Sequence, residues 1–138
     1  MNFHHRYAVT TIRILLGLAF LALGLMGLFA APPEQALTGT AKIVFDGIVA
    51  AKFIFLAQSV FLGIAGALLL INRATPFSLI IAAPFVVGWI LYHAFVMAAG
   101  WQGGAIAGAL MAYLASAWWS AYKPLFSSVS NAQEKRTK

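Results

Sequence analysis

Apolar residues in this chain come in long blocks, and the polar interruptions between them are spaced at about the thickness of a bilayer. No Asp, Glu, Lys or Arg occurs over positions 14–33, 53–72 or 74–122. About 20 apolar residues are what an α-helix needs to cross roughly 30 Å of hydrocarbon. The first two blocks therefore predict one span each. The third is long enough for two spans with a break between them. The expected spans are residues 12–31, 52–71, 77–97 and 105–122.

The interruptions have the chemistry of turns. Pro32 and Pro33 end the first span, because proline cannot continue a helix and constrains the residue before it. Residues 36–50 mix apolar and charged side chains: Lys42 and Asp46 stand four apart on one helical face, with Ile43, Gly47, Ala50 and Ile54 on another. That pattern predicts a short amphipathic helix lying in the membrane interface and continuing into the second span. Asn72-Arg73-Ala74-Thr75-Pro76 reads as a tight connection, and the glycines and Gln102 of residues 98–104 suit a short exposed turn. A cleaved signal peptide is the rival reading of the first block. The block is longer than a typical apolar signal core and has no clean small-x-small cleavage site.

The expected fold is thus all-α: an integral membrane four-helix bundle, up-down-up-down, with an amphipathic interfacial helix between spans one and two. Residues 1–126 form one domain and 127–138 a polar tail.

Composition sharpens this picture. Charged residues make up 9% of the 138, against about a quarter in a soluble domain, and 62% are hydrophobic, with a mean hydropathy of +0.89. The net charge of +6 raises the question of nucleic acid, but the nine Lys and Arg are mostly scattered at the ends of apolar blocks and form no binding stripe. They read as topology signals. Arg6, Arg13, Arg73, Lys123, Lys135, Arg136 and Lys138 fall on one side of an even-numbered topology, against Lys42 and Lys52 on the other. By the positive-inside rule both termini are cytoplasmic. Trp118, Trp119 and Tyr122 form an inner aromatic belt and Trp101 an outer one. Small residues mark close helix packing: Gly17, Gly24 and Gly27 on span one, Gly63 and Gly66 on span two, and Gly104, Gly108, Ala112 and Ser116 on span four. Cysteine is absent, which removes disulfides, thiol relays and thiolate metal sites as roles for this chain.

Polar groups inside a bilayer are costly, so each is a candidate site residue. They are Gln58 and Ser59 on span two, His93 beside Trp89 and Tyr92 on span three, and Ser116 on span four. At about 1.5 Å per residue, Gln58 lies about 9 Å and His93 about 6 Å from the outer ends of their helices. Both fall in the outer third, under the segment that carries Asp46. The expected ligand site is accordingly His93, Gln58, Trp89, Tyr92 and Asp46. An imidazole, an amide and a carboxylate beside aromatic rings suit the carbonyl head group of a quinone, and His93 can take up a proton. The bland readings stand beside it: His93 and Gln58 as helix–helix hydrogen-bonding groups, Asp46 as a solvated partner of Lys42, and Trp89 and Tyr92 as interfacial anchors. Pro84 permits a kink that frees the carbonyl near Ile80. His4 and His5 stand outside any regular ligand spacing and read as interfacial polar residues. No metal site, catalytic residue, phosphate loop or hydrolase nucleophile is legible.

One resemblance is carried by the order of short apolar motifs over most of residues 12–126. Arg13-Ile14-Leu15-Leu16-Gly17 opens the first span with Gly24 further along. Gly66-Ala67-Leu68-Leu69-Leu70-Ile71-Asn72-Arg73 closes the second. Pro76, Ala83-Pro84 and Tyr92-His93 mark the third, and Pro124-Leu125-Phe126 follows the fourth. The chain resembles the DoxX-like family of small four-span bacterial membrane proteins. That resemblance implies a four-helix bundle in the bacterial cytoplasmic membrane and an association with oxidoreductase systems. Some members resemble subunits of a thiosulfate:quinone oxidoreductase, and others act with partners in oxidative-stress defence. It therefore implies a redox partner subunit and quinone as the ligand. Family members often carry an acidic residue early in span two and an Asn one turn before the His. Those places hold Leu62 and Gly88 or Trp89 here, so His93 is the polar position the resemblance carries over directly. The reading from a different class is a non-catalytic membrane scaffold or small-molecule-binding protein, and a homo-oligomer is compatible with either.

Overall fold

A computed structural model of the chain describes residues 3–30, 36–97 and 99–126. All regular structure among the described residues is helical: α1 (Phe3–Phe29), α2 (Gly39–Ala51), α3 (Phe53–Leu70), α4 (Thr75–Phe95), α5 (Trp101–Ala117) and a single-turn α6 (Trp119–Tyr122), with a 3-10 turn over Lys123–Phe126. Helices α1, α3 and α4 are long and apolar enough to cross a membrane. The polar tail expected at 127–138 and the helix stop expected at Pro32 and Pro33 lie outside the described residues.

The long helices run alternately up and down. Helix α1 packs on α3 and α5, α3 on α4, and α4 on α5, while α2 rests on α3. The buried centre is Leu16 and Phe20 of α1, Leu62, Ala65 and Leu69 of α3, Leu79, Ala82 and Val86 of α4, and Met111 and Leu114 of α5. Large apolar side chains such as Leu15, Leu18, Phe61, Phe77 and Val87 point outward, an exposure that suits hydrocarbon and not water.

The α1–α3 contact depends on glycine. A Cβ at Gly24 would lie 2.5 Å from the Gly63 backbone nitrogen, and one at Gly66 would lie 2.7 Å from the Gly17 carbonyl oxygen. Backbone meets backbone here, so neither side can yield by turning a side chain. Gly27 is filled from the other side by the Ser59 hydroxymethyl group.

Arg13 departs from its expected role as a charge flanking the span. Helix α1 starts at Phe3, well before position 12, so Arg13 sits nearly three turns inside it and is 8% exposed. Its guanidinium donates to the carbonyl of Leu69 and, at 3.3 Å, to that of Leu70. Those are the last carbonyls of α3; Leu69 O also accepts from Asn72 N–H at 3.2 Å, so the guanidinium adds to the turn that closes the helix end. A cation there also meets the negative end of the helix dipole.

Two helix boundaries and the placement of Tyr122 also differ from expectation. Helix α2 does not continue into α3: Lys52, at φ 46°, separates them, its N–H closing on Val49 O and its own carbonyl accepting from Leu56 N–H. Residues 102–104 are helical, because Gly100, at φ 84°, makes the turn and α5 begins at Trp101. Tyr122 is buried instead of sitting in an aromatic belt, and its hydroxyl donates to Pro76 O at 3.0 Å. Helix α4 runs unbroken through Pro84.

Gly24→Ala should lower stability by about 1–3 kcal/mol through overpacking, whereas Gly88→Ala, with open space around its Cβ, should not; thermal unfolding of both variants in mild detergent checks this. Arg13→Ala should also destabilise, by about 1–3 kcal/mol for lost charge-assisted bonds to carbonyls that remain buried, read in the same unfolding measurement.

Candidate functional site

The last two turns of α4 carry Trp89, Tyr92 and His93, and the way α4 ends positions them. Val96 and Met97 N–H groups both close on Tyr92 O, at 2.8 and 3.1 Å, while His93 Nδ1 lies 3.0 Å from Met97 O. A carbonyl oxygen can only accept, so Nδ1 carries the hydrogen. In the neutral ring Nε2 is then left with its lone pair free to accept. His93 is 8% exposed.

Helix α5 supplies the floor. A Cβ at Gly100 would lie 3.1 Å from His93 Cε1, and one at Gly103 would lie 3.2 Å from the Trp89 ring. Ile90 fits the next gaps in the row, 3.2 Å from a Cβ at Gly104 and 3.0 Å from one at Gly108. Large side chains of α4 thus seat in the glycine gaps of α5 one after another. Within the cluster, the Tyr92 and His93 rings meet edge-on with centroids 5.4 Å apart, and Trp89 lies 6.3 Å from His93 at 47°. The Tyr92 hydroxyl is buried and has no hydrogen-bond partner.

The structure brings together three of the five residues expected to form the site: His93, Trp89 and Tyr92. Gln58 is exposed on α3. Asp46 is exposed on α2, where Lys42 Nζ donates to its Oδ2 at 2.6 Å. No hydrogen bond or ion pair among the described residues joins either to His93. Helix α2 touches α3, with the Phe45 and Phe55 rings edge-on at 6.3 Å. The serines singled out in the sequence bond within their own helices, Ser59 Oγ donating to Phe55 O at 2.6 Å and Ser116 Oγ to Tyr113 O at 2.7 Å.

Two features escaped sequence reasoning. Gly100 makes the exposed turn expected of it, whereas Gly103 is helical, and both also leave room for side chains of α4, Gly100 for His93 and Gly103 for Trp89; the spacing of 89 and 93 against 100 and 103 is the signal in the sequence. His5, at the opposite end, lies with its ring 5.9 Å from Tyr113 and its Nδ1 buried without a partner, which its position beside His4 does not indicate.

No family model, curated protein or solved structure matches the chain. The site is therefore read from its own geometry. That geometry offers one hydroxyl donor without an acceptor, one imidazole acceptor and one indole face, at the end of an apolar helix pair.

A buried hydroxyl without a partner costs about 1–3 kcal/mol. In the absence of added ligand, Tyr92→Phe should therefore leave thermal stability unchanged or raise it, while His93→Ala should lower it by removing the link to Met97; detergent-solubilised unfolding curves distinguish the two.

Proposed function

We propose that this chain is a four-span integral protein of the bacterial cytoplasmic membrane that binds quinone at the His93–Tyr92–Trp89 cluster and serves as a membrane subunit or accessory of a quinone-linked redox system. The observation that carries the reading is the Tyr92 hydroxyl, buried and unpartnered beside an imidazole whose Nε2 can accept. A quinone, when bound, supplies a carbonyl acceptor, and in reduced form a hydroxyl donor. Tyr92 O–H would donate to the carbonyl. His93 Nε2 would accept from the hydroxyl or hold the proton, with Met97 O fixing the tautomer. Trp89, 36% exposed, offers a flat apolar face for the ring. This chain's part is binding and proton holding; electrons come from a partner oxidoreductase.

The four-span topology is supported by α5, whose 17 residues extend about 25 Å and lead through Trp118 into α6. Arg6, Arg73 and Lys123 all stand at one end of the helices, which by the positive-inside rule is cytoplasmic, as are both termini. Helix α2 has no buried residue and carries its ion pair in the open, as an interfacial helix would. The resemblance to DoxX-like proteins supports the redox association.

A second reading is favoured by one observation. His93 Nδ1 is already engaged in closing the end of α4, which is what a scaffold would need from it with no ligand at all.

Purification in mild detergent, followed by lipid extraction and titration with a short-tailed ubiquinone, separates the two. Saturable binding that falls at least tenfold in Tyr92→Phe, a variant expected to stay folded, supports the quinone site. Absence of co-purifying quinone and of saturable binding to the folded wild type establishes the scaffold.

A further inference from the structure

Between α4 and α5 runs a groove of about 470 Å³ lined by apolar side chains, among them Leu79, Val86 and Ile90 of α4 and Gly108 and Ala112 of α5, with Tyr122 at one end. Its volume is in the range of ligand pockets. Leu79 to Ile90 is a rise of about 16 Å, close to half of a roughly 30 Å hydrocarbon core. The groove is therefore as long as one leaflet is deep. Its Tyr122 end is fixed in place, because Tyr122 O–H donates to Pro76 O at the start of α4.

That end is cationic. Lys123 follows Tyr122 directly, and Arg73 precedes Pro76 by three residues; both are exposed, and neither makes an ion pair among the described residues. The described residues contain a single carboxylate, Asp46, which is held by Lys42 at the opposite end of the helices. The charge at the groove's mouth thus has no protein counterpart in the described structure. Of the two further cations toward that end, Arg13 is committed to the α3 carbonyls, and Arg6 lies near the start of α1, which contributes no residue to the groove's lining.

We infer that the groove seats one acyl chain of an anionic phospholipid of the inner leaflet, with its phosphate between Arg73 and Lys123. An acyl chain leaving bulk lipid for an apolar groove gains no hydrophobic free energy. Selection therefore comes from the headgroup, where each cation near the surface adds attraction for an anionic lipid. The groove sets which leaflet and where; the two cations set which lipid. This rests on the proposed bilayer placement and orientation and is independent of quinone.

The test uses the full chain reconstituted in nanodiscs of palmitoyl-oleoyl phosphatidylcholine doped with either palmitoyl-oleoyl phosphatidylglycerol or a headgroup-neutral lipid of the same chains, followed by release in mild detergent and native mass spectrometry. Retention of phosphatidylglycerol should exceed that of the neutral lipid by roughly tenfold or more. The preference should vanish in the double variant Arg73→Gln, Lys123→Gln, and retention of both lipids should fall in Ala112→Phe, which fills the groove from an exposed position. Leu15→Phe, on an outward face of α1, should change nothing and controls for general effects of bulk. Equal retention of the two lipids by the wild type overturns the inference. So does a dimer that Ala112→Phe abolishes while lipid retention persists, since the groove would then seat a second copy. A chain that partitions into buffer without detergent defeats the membrane reading itself, a different result from either.

Discussion

The close approach of α1 and α3 at Gly17, Gly24, Gly63 and Gly66 is the constraint on which the other contacts depend. In water, helices associate because apolar faces leave solvent. In hydrocarbon that drive is absent, and contact has to come from dispersion at short range and from polar groups that find partners. At Gly24 the two chains touch through their backbones, with 2.5 Å between an added Cβ and the Gly63 nitrogen. Once α1 is fixed on α3 in this register, Arg13 is carried to the end of α3 and Phe20 to the centre of the buried cluster. The α4–α5 pair repeats the device in a looser form, with side chains in place of backbone filling the glycine gaps.

Polar groups within this frame divide into those that complete a helix and those left over. Arg13 finishes α3, Tyr122 anchors the turn at the start of α4, and His93 finishes its other end through Met97. Ser59, Ser78 and Ser116 return their hydroxyls to their own helices. The Tyr92 hydroxyl and the His5 Nδ1 remain buried without partners. Of the two, Tyr92 stands beside an acceptor and an indole, and that company gives it chemical direction.

The charge-free blocks made the apolar helices legible, because length and composition alone decide whether a helix suits a bilayer. The α3–α4 turn was legible too, from Asn72 and Pro76. Sequence placed Gln58 and His93 at similar depth, and depth was all that counting residues could supply. It does not give rotation about the helix axis, and rotation turns Gln58 outward while His93 turns in. The role of Arg13 was hidden for a related reason: a cation at the edge of an apolar block looks the same whether it faces headgroups or a neighbouring helix end. The break at Lys52 was illegible because lysine has no preference for positive φ; the surrounding structure imposes it.

The partnership of Arg13 with α3 has a consequence for how the protein is made. The carbonyls it binds lie 56 residues further along the chain, a stretch that takes roughly 3–11 s to synthesise at about 5–20 residues per second. Throughout that interval the guanidinium has no α3 carbonyl to bind, and in the membrane placement proposed above it is left to water and lipid phosphates. On that placement the first helix is held shallow until α3 arrives, and its final depth is set by a segment not yet translated when the helix enters the bilayer.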